Sequence, residues 1–321
     1  MKKILAVLLA VTMLFTLAAC GGSGEDQTKV YKVGIAQWVQ HDALDAATQG
    51  FKDALTAALG EGNVEFLDQN ASEDPGVCTT IISNFVAEEV DLIMANATPV
   101  LQTAAAATTT IPILGTSVTE YGVALEIDDF GGTVGGNISG TSDLAPLTQQ
   151  AQMIIDLVPD AKNVGLLYCS AEANSIYQVK VVKEYLEEKG ITATEFAFSD
   201  ANDLPAITQA ACDASDAIYI PTDNKAAAST GIIDGICRPA KVPVIAGEAG
   251  ICSGCGIATL SISYYELGKK TGEMAAQILK GEADISTMPI QYDENVVSKY
   301  NAEICEELGI TVPDTYISLD A

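Results

Sequence analysis

Basic residues, histidine and long apolar runs are what this sequence has least of. Lys and Arg number 16 against 43 Asp and Glu, for a formal charge of −27. Such a surface repels phosphate backbones and anionic lipid, which excludes nucleic acid as a partner. A single histidine, His41, makes a four-ligand zinc site improbable and gives any histidine-activated nucleophile one choice of base. No serine stands in a G-x-S-x-G elbow. The one membrane-like run, from Ile4 to Leu17, falls short of the ~20 apolar residues that a spanning helix needs. At 48% hydrophobic and 18% charged the chain nevertheless has the composition of a globular protein, and its 321 residues exceed what one core supports.

What is present begins with a leader. Lys2 and Lys3 precede the apolar run, and Leu17-Ala18-Ala19-Cys20 closes it, a pattern that resembles a secretory signal ending in a bacterial lipobox. Residues 1–20 are therefore expected to be a signal peptide, with Cys20 lipidated and serving as the membrane anchor. Residues 21–30, small and polar, suit a flexible tether.

The body of the chain carries an internal duplication. Asp91-Leu92-Ile93-Met94-Ala95-Asn96-Ala97-Thr98-Pro99 is answered by Asp216-Ala217-Ile218-Tyr219-Ile220-Pro221-Thr222-Asp223-Asn224, and Ile111-Pro112-Ile113 by Val242-Pro243-Val244. Val33 to Gln37 pairs likewise with Val164 to Tyr168, Val64 to Leu67 with Thr194 to Ala197, and Val123 to Ile127 with Ile257 to Ile262. Each half reads as five strands separated by helices at βαβ spacing. The fold class expected is α/β, with two doubly wound parallel-sheet lobes. The Gly-rich segment from Gly131 to Gly136 matches neither G-x-G-x-x-G nor a P-loop, and residues 137–144 are expected to cross between the halves.

Buried parallel strands present ligands at their carboxyl ends, so the candidate contacts are the residues there. In the first half these are Gln37, Trp38 and His41 before the first helix, Thr98 after the third strand, and Thr116 and Ser117 after the fourth. In the second half they are Asn174 and Ser175, then Thr222, Asp223 and Asn224, and Glu248. Apart from His41 these loops hold no side-chain cation, which favours a ligand bearing an ammonium group. Thr98, Thr116 and Ser117 would hold a carboxylate through hydroxyls and helix N–H groups, and Asp223 or Glu248 would hold the ammonium. Trp38 either stacks on a ligand ring or packs in the core. His41 reads as a packed or capping residue rather than a catalytic base, and no nucleophile, carboxylate pair or metal set appears in catalytic context. No cofactor and no metal are expected.

Of eight cysteines, Cys20 belongs to the leader, and the odd number left cannot all pair within the chain. Cys78, Cys169, Cys212 and Cys305 sit among apolar or small residues as buried thiols. Cys252-Ser253-Gly254-Cys255 is expected in a Gly-rich turn before a strand, as a turn pair, oxidised or not.

Several words of the sequence together resemble the substrate-binding lipoproteins of tryptophan/tyrosine-type ABC transporters. They are Gln37 to Asp45, Ala97-Thr98-Pro99, Asn174 to Val179, Pro221 to Asn224, and Tyr264-Tyr265-Glu266-Leu267-Gly268. The resemblance implies a type I periplasmic-binding-protein fold with three crossings, the lobes being 31–140 plus 263–288 and 141–262 plus 289–321. It also implies an extracytoplasmic location, a small ligand, an aromatic or other apolar amino acid, held as the lobes close, and ABC permease subunits as partners. A nucleoside or other neutral polar ring is the alternative ligand, and a sensor for a membrane receptor the alternative role. The chain departs from the family pattern at Thr119-Glu120-Tyr121, at Asn96 and at the Cys252 to Cys255 segment.

Overall fold

A computed structural model describes residues 29–293 and 295–319. The leader with Cys20 and most of the tether lie outside the described residues. From Tyr31 the chain alternates as the pattern requires: β1 (Tyr31–Gln37), α1 (Asp42–Leu59), β2 (Val64–Asn70), α2 (Pro75–Ala87), β3 (Leu92–Asn96), α3 (Thr98–Ala107) and β4 (Ile113–Val118). A short α4 (Tyr121–Ala124) and β5 (Ile138–Ser142) follow. The second half runs α5 (Leu147–Leu157), β6 (Asn163–Cys169), α6 (Ala173–Glu188), β7 (Thr192–Phe198), α7 (Leu204–Ala214) and β8 (Ala217–Ile220). It continues through α8 (Asn224–Ala227), α9 (Thr230–Ala240), β9 (Val244–Ala246), α10 (Ala249–Cys255) and β10 (Ala258–Ser261). The remainder is α11 (Tyr264–Leu279), β11 (Gln291–Tyr292), β12 (Val297–Tyr300), α12 (Ala302–Leu308) and β13 (Ile317–Ser318).

The two sheets have the orders β2-β1-β3-β4-β5-β11 and β7-β6-β8-β9-β10-β12-β13, so the duplication seen in the sequence is a duplication of topology. Central strands such as β3 and β8 are buried at every position, which is why they read as continuous apolar runs rather than alternations. Each sheet carries an apolar cluster on both faces. The chain passes between lobes after β5, after β10 and after β11, giving three crossings.

The structure refines the expected fold in five places. Residues 123–127 are not the fifth strand: the Glu120 carboxylate accepts from the Val123 N–H to cap α4, and Glu126 turns the backbone to φ 54°. The fifth strand is Ile138–Ser142, inside the stretch expected to be a crossing, so the first sheet extends beyond residue 140. Its Gly140, at φ 149°, lets the buried Tyr121 hydroxyl pass to the Thr141 carbonyl, where a Cβ would meet that hydroxyl at 2.3 Å. At the other boundary, β11 keeps the chain on the first sheet to Tyr292, beyond residue 288. The second sheet is mixed, because β12 runs antiparallel to β10. Finally, Cys252 and Cys255 lie in α10, not in a turn.

One packing contact sets the position of the cleft. α11 returns from the second lobe and lies against α1 so closely that a Cβ on Gly268 would meet the Ala47 carbonyl oxygen at 2.0 Å, and one on Gly50 the Tyr265 carbonyl oxygen at 2.1 Å. Glycine on both sides lets the helix backbones touch. The N-termini of α1 and α11 are thereby held together at the mouth of the first sheet.

Candidate functional site

Between the carboxyl ends of the two sets of strands lies a small cavity. Strand and helix ends deliver its walls. Leu44 comes from the first turn of α1, Ser117 and Thr119 from the end of β4, and Asn174 from the start of α6. Thr222, Asp223 and Asn224 follow β8, and Glu248 caps α10. Asp143 stands in the first crossing and Tyr264 opens α11 after the second, so both hinges reach the cavity.

Of the residues expected from sequence, His41, Ser117, Asn174, Thr222, Asp223, Asn224 and Glu248 line this cavity. The other five stand outside it. Gln37 donates to the Val39 carbonyl at 2.8 Å and to Asp45 at 2.6 Å, and accepts from Thr48, on the outer side of α1. Trp38 is buried in the apolar core of the first lobe with Leu44, Ala71 and Cys78, so the core alternative is the one the structure takes. Thr116 is bound into a buried hydroxyl chain, 3.2 Å from Thr141, which is 2.8 Å from Thr271. Ser175 donates to Asp223 at 2.7 Å from a fully buried position. Thr98 is buried at the start of α3.

Asp223 is a scaffold carboxylate. It accepts from the Cys169 N–H at 2.7 Å, the Ser175 hydroxyl at 2.7 Å and the Ala226 N–H at 2.8 Å, tying β6, α6 and α8 together. Behind it, Glu172 accepts from Asn174, from the Asn224 side chain and from the Asn224 and Lys225 N–H groups, which orients both asparagines. Burial, then the neighbouring Asp223 charge, pushes the Glu172 carboxyl up to about 8. Gln178 acts similarly on Thr222, donating to its hydroxyl at 2.6 Å and accepting from its N–H at 3.1 Å.

The lobes meet directly across the cleft. Lys225 pairs with Glu73 at 2.5 Å, His41 Nε2 lies 3.3 Å from Asn224 Oδ1, and the Thr119 and Thr222 hydroxyls are 3.4 Å apart. Burial lowers the His41 pKa, which favours the neutral imidazole.

Three carboxyl groups, Asp143, Asp223 and Glu248, face one cavity that no Lys or Arg lines among the described residues. Burial raises Asp143, and raises Glu248 to about 7 with help from the charges of Asp42 and Asp143. Glu248 spends its carboxylate on the Gly250 and Ile251 N–H groups of α10. The Tyr264 hydroxyl donates to Asp143 Oδ2 at 2.8 Å and the Thr119 hydroxyl also favours the carboxylate, while Oδ1 makes no hydrogen bond of full geometry. Among the described residues ten buried side-chain polar atoms lack a hydrogen-bond partner, and four line this cavity: His41 Nδ1, Ser117 Oγ, Asp143 Oδ1 and Asn174 Oδ1. Orphaned polar atoms are costly when buried, so their convergence marks where a polar ligand completes the structure.

Sequence reasoning missed Asp143, Tyr264, Thr119, Leu44 and Ala227 as lining residues, and Glu172 and Gln178 as the groups that orient Asn174, Asn224 and Thr222. Asp143 stood in a segment read as a crossing and Leu44 in a helix stripe. Tyr264 and Gln178 lay inside recognised words without being assigned a role.

Two lobes in contact around a polar cavity that is walled by hinge residues define a ligand-binding protein of the periplasmic-binding type. Comparison with known proteins gives the family. Residues 32–320 match the family described as ABC transporter substrate binding protein, and the chain belongs to it. The family binds and carries out no catalytic step. A tyrosine-binding protein of Clostridioides difficile is 33% identical over 93% of this chain and 90% of its own length. An ABC domain from Streptococcus pneumoniae solved with L-Trp is 32% identical with a TM-score of 0.84, over 88% of this chain and 96% of that one. A ligand-free, open substrate-binding protein with adhesive properties from Clostridium difficile is 35% identical, yet its TM-score is 0.69 over 90% and 99%. At nearly equal identity the lobes here follow the arrangement of the tryptophan complex rather than the open one, in accord with the direct contacts across the cleft.

Proposed function

We propose that this protein is the extracytoplasmic, lipid-anchored substrate-binding component of an ABC importer. Its ligand is a small zwitterion, an aromatic amino acid, captured between the closing lobes and handed to the permease. The observation that carries the reading is the charge asymmetry of the cavity, with three buried carboxyl groups, no facing cation among the described residues, and an Asp143 oxygen that makes no hydrogen bond of full geometry. A buried carboxylate with one oxygen unbonded and no facing cation favours binding a cation, and a ligand ammonium supplies it. Asp143 takes that role, because the oxygens of Asp223 and of Glu248 are filled by protein donors. The ligand carboxylate then falls to the Ser117 and Thr222 hydroxyls, the ammonium also meets the free Asn174 Oδ1, and the side chain falls to Leu44, Ala227 and the Tyr264 ring. The relatives named for tyrosine and solved with tryptophan support an aromatic ligand.

The test is a thermal-shift screen of the protein lacking residues 1–20, refolded to strip ligand, against amino acids, nucleosides and simple sugars. A ligand at 100 times its Kd adds about 2.7 kcal/mol of stability, an easily measured rise in Tm. A response confined to tryptophan, tyrosine or phenylalanine is expected. A response to nucleosides or sugars alone would remove the zwitterion reading while leaving the fold untouched.

A further inference from the structure

We infer that Cys212 and Cys237 are a disulfide-forming pair that fastens the second lobe's contribution to the ligand cavity. Their Sγ atoms stand 3.5 Å apart in the apolar interior, Cys212 on α7 and Cys237 on α9. The other thiols face elsewhere. Cys169, Cys252, Cys255 and Cys305 each point at a backbone carbonyl, and Cys78 hydrogen-bonds to Thr103. The C-x-x-C spacing that drew attention in the sequence is thus not where sulfur meets sulfur. A disulfide needs about 2.05 Å between sulfurs, a closure within reach of side-chain rotation on two helices already packed together.

The hydrogen bond that the thiols share lowers Cys212 and raises Cys237, so one thiolate forms ahead of the other. The oxidant is a small-molecule disulfide. The Cys212 thiolate attacks one of its sulfurs and displaces a thiolate, forming a mixed disulfide. Cys237 loses its proton and attacks the Cys212 sulfur, displacing the second thiolate. Two cysteine thiols are oxidised, one external disulfide is reduced to two thiols, and the two protons go to the departing thiolates.

The consequence is local. The chain between the two cysteines contains β8 and the turn that brings Thr222, Asp223 and Asn224 to the cavity. Bridging its ends restricts the unfolded chain and holds that turn against its sheet. Only the supply of oxidant in the cell rests on the extracytoplasmic reading.

The experiment uses the full chain in detergent, treated while folded with glutathione disulfide, alkylated and digested without reduction. A peptide linking Cys212 to Cys237 is expected, together with a rise in Tm of about 5–10 °C that dithiothreitol reverses. The link should persist in a variant carrying both Cys252→Ser and Cys255→Ser. Absence of the link in the wild-type digest, or a Cys252–Cys255 link in its place, would overturn the inference without requiring any cysteine variant to fold. Because this reaction needs no export, its failure counts against the pair and not against the location. Free thiols in rapidly alkylated cells, alongside a bond formed in vitro, would count against the location alone.

Discussion

The Asp143 carboxyl is buried, with one oxygen held by the Tyr264 hydroxyl and the other making no hydrogen bond of full geometry. That arrangement is unfavourable until a cation arrives, so Asp143→Asn separates binding from folding. The amide oxygen still accepts from Tyr264, and a buried charge is removed. We expect unchanged or higher ligand-free stability but at least a ~30-fold weaker Kd for the aromatic amino acid, since losing one partner of a buried ion pair costs about 2–5 kcal/mol. Titration calorimetry showing wild-type affinity in this variant would take the ammonium away from Asp143. The same groups give a pH signature. Burial raises the Glu248 pKa from the ordinary glutamate value to about 7, and Asp143 and Asp223 are raised in the same direction. A raised folded pKa contributes stability that is whole below the unfolded value and lost as pH climbs through the folded one. The ligand-free Tm should therefore fall between about pH 4.5 and 7 for Glu248, and on toward about 8 where Glu172 titrates. A bound ammonium favours the ionised carboxylates, so the ligand-induced rise in Tm should grow over that window. A ligand-induced rise that is flat in pH would mean that these carboxyl groups do not meet the ligand's charge.

At the scale of elements, what the sequence made legible is what burial writes in apolar runs. β1, β3, β4, β6, β8 and β9 are central strands, and each announces itself as such a run. β5 does not: Ile138-Ser139-Gly140-Thr141-Ser142 is a buried strand written in small and hydroxylic residues, because Tyr121 and the Thr116–Thr141–Thr271 hydroxyls need the room. Asp143 was hidden for the same reason, lying just beyond a strand that did not look like one. The strand-end rule placed Asn174, Thr222 and Glu248 at the cavity but could not tell Trp38 from a contact. Whether a side chain turns into the cleft or back into the core is decided by packing that the local sequence does not carry. The α1–α11 contact offers a test at this scale. Gly268→Ala places a Cβ 2.0 Å from the Ala47 carbonyl oxygen, so the helices must part and Tyr264, one turn away on α11, must move from Asp143. Overpacking of this kind costs about 1–3 kcal/mol. We expect a lower Tm by calorimetry together with weaker ligand binding; a variant that loses stability but binds as the wild type does would show that the helix contact does not position Tyr264.

For the whole molecule the question is what holds the lobes together when the ligand's own contacts are set aside. His41 with Asn224, and Thr119 with Thr222, are neutral contacts at long hydrogen-bond distances that water would replace on opening. Lys225 with Glu73 is different, being an ion pair at 2.5 Å between two side chains only 15% and 18% exposed. The Glu73 loop holds its end in place with two residues at positive φ, Ser72 and Glu73, so the carboxylate is presented rather than found by chance. Its partial exposure keeps its worth modest, about 1 kcal/mol. A contact made in the closed form and absent from the open one shifts the equilibrium between them by its full free energy, so Lys225→Met should reduce the closed-to-open ratio about fivefold. The expected result is a larger radius of gyration by small-angle X-ray scattering for the ligand-free variant, and a Kd raised by up to the same factor through a faster off-rate. Saturating ligand should restore the compact form, because it touches both lobes whether or not the ion pair is present. If scattering from the variant and the wild type is the same without ligand, and the affinity is unchanged, the pair is an incidental contact of closed lobes and closure rests on the cavity alone.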